Sequence, residues 1–199
     1  MMLCADAAAT DARSMPPSNL VPIFSTSNVL ADYAAVTGFV ASKPETDVGT
    51  DPQQAAAYRQ KTGLVDASGA RHKIDVYTAL RVGDVEQLAL AVYLTGCAGV
   101  GVALPDNAED QFDNGEVWTV EPNQPGGDGH YICCIGRNSH GNFLFVSWGR
   151  LQAATPQWVK TYMDEGIAYL SRERLSSKGL SPQGFNLAAL EDDFREVTS

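Results

Sequence analysis

The sequence predicts an α+β fold, a helical N-terminal half packed against an antiparallel, β-rich C-terminal half. Two observations carry this. Up to Gly96 the apolar residues recur with helical spacing, whereas from Gly99 onward short runs rich in Val, Ile and aromatic residues are bounded by Gly, Pro and Asn. Helices come before strands without βαβ alternation, which favours an antiparallel sheet in a two-layer domain. With 199 residues, 44% of them hydrophobic and 19% charged, the chain can bury a core without disulfides or a metal. It reads as a single domain over 1–199.

The elements follow in order. Residues 3 to 13 are rich in Ala and read as a helix, followed by the breaker-rich connector MPPSNLVP. STSNVLADYAAVTG has a Ser/Thr cap, an apolar stripe of Val29, Leu30, Tyr33 and Val36, and a closing Gly38. After a polar turn region, Asp51-Pro52 opens the helix PQQAAAYRQKTG. HKIDVYTAL reads as extended, and Asp84 caps the helix DVEQLALAVYLTG. GVGVALP, EVWTVE, HYICCIG and NFLFVSWG read as strands, the last two forming a hairpin across RNSHGN. Thr155-Pro156 caps a helix over QWVKTYMDEG, IAYLS is a last strand, and NLAALEDDFREV is a closing helix.

Charge and composition exclude several functions. Fourteen basic against 24 acidic residues give a net charge of −10, which repels nucleic acid and anionic membranes. No apolar run is long enough for a membrane helix. The start lacks a secretory signal, and no pro-segment is expected before Cys4. Four cysteines, two of them adjacent (Cys133 and Cys134), fit a reducing compartment. Cys133, Cys134 and His130 lack a fourth ligand and the spacing of a zinc site. No glycine-rich loop leads from a strand into a helix to cradle a phosphate. No cofactor is expected.

Three stretches carry chemistry. DVEQLALAVYLTGCAGVGVALP leads a helix through Gly into a Val-rich strand. GGDGHYICCIG puts His130 at the start of a strand, and FVSWGR lies one hairpin later. In this order, with Cys4 at the head of an Ala-rich helix, the chain resembles the papain-like cysteine peptidase superfamily. TDVGT, YRQKTGL and SWGRLQ…YMDEGIAYLS further resemble papain-like proteins of tailed phages and prophages. The resemblance implies Cys4 as nucleophile and His130 as general base, with Ser147 and Trp148 in support. A helix N-terminus lowers a thiol pKa, which suits Cys4 to that role. The stretch between Cys4 and His130 is slightly shorter than the roughly 130–150 residues of the papain pattern. His72 and His140 read as solvated, and Trp118 and Trp158 as packing residues.

The chain departs from the family at two places. Matching Ser147, Trp148 and Gly149 to the Asn-Ser-Trp-Gly motif leaves Val146 where the asparagine would orient the histidine. Side chains alternate along a strand, so Val146 and Ser147 cannot both face His130. Only Met1, Met2 and Leu3 precede Cys4, where papain-type enzymes place an oxyanion-hole glutamine. Two readings follow. One is a Cys-His hydrolase acting on a peptide or protein amide. The other is a papain fold without turnover, used as a virion or assembly protein. The matching locations are the cytoplasm of a bacterial host or a virion.

Overall fold

The structure is a computed structural model that describes residues 22–176, 178–181 and 184–197. The Ala-rich helix read over residues 3 to 13, and Cys4 with it, lie outside the described residues.

The N-terminal helices form where their caps and breakers put them. Helix α1 (Thr26–Thr37) starts at Ser25, whose side chain accepts a hydrogen bond from the Asn28 N–H, and ends at Gly38 in the left-handed conformation. Helix α2 (Pro52–Lys61) starts at Asp51, whose carboxylate accepts from the N–H groups of Gln53 and Gln54. Helix α3 (Val85–Thr95) is capped by Asp84 and ends at Gly96, φ 83°. Between α2 and α3 run three short strands, β1 (Leu64–Val65), β2 (Arg71–His72) and β3 (Val76–Ala79).

The main sheet has six strands in the order β3-β8-β4-β5-β6-β7. They are β4 (Ala98–Ala103), β5 (Gly129–Arg137), β6 (Phe143–Ser147), β7 (Arg150–Ala154), β8 (Met163–Leu170) and β3. Every neighbouring pair is antiparallel. The α+β class therefore holds, with one refinement: β3 comes from the front half and pairs with β8 at the sheet edge.

One face of the sheet carries the main core. Ala98, Val100, Val102, Ile132, Cys134 and Phe145 pack against Leu88, Ala91 and Val92 of α3, and against Trp158 and Val159 of helix α5 (Pro156–Tyr162). The opposite face holds two smaller clusters. Ala56 of α2 packs with Ile74, Ile167 and Tyr169, and Cys97 packs with Cys133, Tyr131, Ile135 and Val146. The adjacent cysteines thus point to opposite faces, as strand alternation requires. Helix α6 (Leu187–Val197) inserts Leu190 against Leu94 and Leu170.

Three readings need correction, and two elements have no counterpart in the sequence reading. EVWTVE is not a strand: within it Trp118 makes one isolated parallel bridge to Ala154. The helix opened by Pro156 stops at Tyr162, and Met163 already belongs to β8, because pairing with β4 overrides the helical preference of Met and Glu. Helix α4 (Asn107–Asp113) and strand β7 are both present; neither has a strong periodic signal, since NAEDQFD is one short acidic turn-like run and RLQAA lacks β-branched residues. His72 is not simply solvated, since it stands between Asp66 and Glu173.

Candidate functional site

His130 lies near the start of β5, opposite Val102 of β4. Its even-numbered position puts the imidazole on the core face of the sheet, at the end away from the hairpin turn. Strand β6 pairs with β5 in a register that sets Val146 against Cys133. Val146 therefore falls on the opposite face and packs with Cys97 and Cys133. Ser147 falls on the same face as His130, and its Oγ lies 2.8 Å from the His130 Nε2. The β6 side chain bonded to the imidazole is thus the serine, one position after the valine that motif matching placed there. Ser147 is buried, 4% exposed, so water does not compete for this bond.

Trp148 is placed by the turn that follows. Ser147 pairs with Arg150, so Trp148 and Gly149 form a two-residue hairpin loop. Both have positive φ, 46° and 74°, the backbone of a type I′ turn. Gly adopts this freely. For a bulky aromatic it costs on the order of 1–3 kcal/mol. The turn throws the indole over the imidazole, with centroids 4.8 Å apart and planes at 21°. Phe112 of α4 meets the same indole edge-on at 4.7 Å, and the Arg150 guanidinium covers Phe112 at 3.8 Å. No sequence signal pointed to Phe112, because its role depends on α4 packing across the sheet end. Trp118 and Trp158 are fully buried and stack at 4.6 Å behind it, as packing residues.

The electrostatics suit a neutral base. Burial pushes the His130 imidazole below its ordinary value. With Nε2 engaged by Ser147, Nδ1 is the nitrogen left to exchange a proton, and among the described residues it has no hydrogen-bond partner. His140 is exposed in the hairpin turn, and Asn138 and Asn142 lie in the same turn, too far along the strand to reach His130. Among the described residues, no group of three or more His, Cys, Asp or Glu could hold a metal ion, and no helix is long and apolar enough to cross a membrane. Of the four residues singled out in the sequence, the structure brings together His130, Ser147 and Trp148; Cys4 lies outside the described residues.

No protein-family model matches the chain, and the search of curated proteins returned no match. Solved structures do match. Xylellain, a cysteine protease from Xylella fastidiosa, is 11% identical with a TM-score of 0.61, over 84% of this chain and 77% of that one. The Carica candamarcensis cysteine protease CMS1MS2 is 12% identical with a TM-score of 0.56, over 85% and 86%. Digestive procathepsin L 3 of Tenebrio molitor is 14% identical with a TM-score of 0.53, over 84% of this chain and 62% of that one. At such identities the likeness shows the fold, which is that of papain-like cysteine proteases.

Proposed function

We propose that the chain is a papain-like cysteine hydrolase that cleaves a peptide or protein amide, with Cys4 as nucleophile and His130 as general acid–base. The observation that carries this reading is the His130 imidazole, bonded to Ser147 at 2.8 Å and roofed by Trp148, with Nδ1 left for a thiol. A histidine at a strand end, fixed through one nitrogen and covered by an aromatic ring, is a base prepared for a partner. In the reaction, the Cys4 thiolate attacks the amide carbonyl carbon. The C–N bond breaks as His130 delivers its proton to the leaving amine. Water, deprotonated by His130, then hydrolyses the acyl-enzyme.

The test is thiol labelling with site assignment by mass spectrometry. An activated Cys4 is alkylated by iodoacetamide at about pH 6, well below the range of an ordinary thiol. His130→Ala should move that labelling to about pH 8 and above. Wild-type labelling that already requires about pH 8 overturns the hydrolase reading. It would support the alternative suggested by the phage-like motifs, a virion or assembly protein without turnover.

A further inference from the structure

A second cluster of reactive groups lies on the opposite face of the sheet from His130. Cys97 follows the α3 cap at Gly96 and is 3% exposed; Cys133 of β5 is 2% exposed. The two thiols share one buried cluster and interact through their side chains. Cys133 pairs with Gly99, two residues beyond Cys97 on the same face. The Arg174 guanidinium sits 3.4 Å from the Cys97 Sγ and also donates to the Thr95 carbonyl. Gly96 makes this approach possible, because a Cβ there would lie 2.8 Å from the Arg174 Nη2. A second guanidinium, Arg59, is 7% exposed, and its Nη1 is buried with no hydrogen-bond partner among the described residues.

The part-buried Arg174 guanidinium at the sulfur, with the buried Arg59 charge beyond it over the Tyr169 ring, favours an anion and opposes a bound cation. Contact with Cys133, then the charges of Arg174 and Arg59, draw the Cys97 thiol below its ordinary value, against the burial that pushes it up. The hydrolytic reading gives this cluster no task.

We infer that Cys97 and Cys133 form a peroxide-responsive thiol pair, in which Cys97 is oxidised first and Cys133 resolves it to a disulfide. The Cys97 thiolate attacks one oxygen of hydrogen peroxide. An S–O bond forms, the O–O bond breaks, and hydroxide leaves and is protonated, which oxidises the thiol to a sulfenic acid. The Cys133 sulfur then attacks the Cys97 sulfur. The S–S bond forms, the S–O bond breaks and a second water departs. Two thiols and one peroxide give one disulfide and two waters. Arg174 stabilises the thiolate and the departing hydroxide. A disulfide here would tie the end of α3 to the middle of β5, the strand that carries His130.

The test uses the full chain carrying Cys4→Ala, so that the outcome is independent of the hydrolase reading. After a graded peroxide dose, non-reducing peptide mapping should show a Cys97–Cys133 cross-link with the loss of two hydrogens, while Cys134 stays reduced. In the same background, Cys133→Ala should convert the product to a Cys97 sulfenic acid trapped by dimedone. Arg174→Gln should slow cross-linking by roughly tenfold, with Arg174→Lys recovering most of the rate. The inference is overturned if Cys97 survives a dose that oxidises the methionines. It is equally overturned if Cys134 reacts as fast, or if Arg174→Gln leaves the rate unchanged in a protein whose circular dichroism is native.

Discussion

At the scale of single residues, the site turns on which side chain of β6 reaches His130. A hydroxyl rotates between donating and accepting, and so holds a ring less firmly than a side-chain amide does. Replacing Ser147 by Ala removes its bond to His130 and leaves the Nε2 half-buried without a partner. The net worth of such a bond is about 0.5–1.5 kcal/mol, so the rate of Cys4 alkylation, and of any peptide cleavage, should fall by roughly 3–10-fold. Ser147→Asn supplies a stronger acceptor from the same strand position and should retain or raise the rate. A Ser147→Ala variant with an unchanged rate would mean that the imidazole is oriented by packing under Trp148 alone. Trp148 itself occupies a backbone conformation suited to Gly or Asn. What tryptophan adds at this position is the indole stacked over His130.

At the scale of elements, β4 shows how the sheet separates the two faces. Its residues alternate Ala98, Val100 and Val102 toward the main core, with Gly99 and Gly101 toward the other face. The glycines are there because neighbours occupy their space: a Cβ on Gly99 would collide with the Tyr131 hydroxyl, and one on Gly101 with the Glu165 side chain. The Tyr131 hydroxyl is already bonded to that of Tyr169 at 2.7 Å and cannot move freely. Gly99→Ala should therefore destabilise the protein by about 1–3 kcal/mol in urea denaturation, the usual cost of overpacking. Gly101→Ala, which meets a long flexible side chain, should cost less. Such alternation explains what could be read in the sequence and what could not. The helices at Ser25, Asp51 and Asp84 were legible because each pairs a capping side chain with apolar spacing. The hairpin of β5 and β6 was legible from its Gly and Asn turn, and so was the opposite facing of Cys133 and Cys134. The choice of Ser147 over Val146 was not, because motif matching aligns letters, while the facing of a side chain is fixed by register with the neighbouring strand. Helix α4 and strand β7, which back Trp148 through Phe112 and Arg150, carry too little local signal to be read before the sheet is assembled.

At the scale of the whole molecule, long-range ion pairs tie the early strands to the segment after β8. Arg172 pairs with Asp75, and Glu173 reaches the His72 Nδ1 at 2.8 Å, while Asp66 approaches Nε2 at 3.3 Å. Through Arg174 the same short segment contacts the end of α3 and Cys97. Burial pushes the His72 imidazole down, but the Glu173 and Asp66 carboxylates together hold it above its ordinary value of 6.5. Asp66 is held at about 2, chiefly by its bond to Ser68, and so stays charged through the neutral range. A raised histidine binds its proton more tightly in the folded state than in the unfolded chain. Its contribution is therefore complete below pH 6.5 and is lost as pH rises through the raised value. His130, lowered by burial, works the other way and penalises the fold as pH falls through and below 6.5. The two histidines thus oppose each other near neutrality, and only substitution separates them. His72→Gln should lower stability by less than about 1 kcal/mol near pH 6, since the pairs are partly exposed. The difference from wild type should shrink toward zero by about pH 9, measured as urea midpoints at matched ionic strength. A difference that stays constant across that range would assign His72 a packing role, through its edge-on contact with Phe24 at 5.7 Å, in place of an electrostatic one.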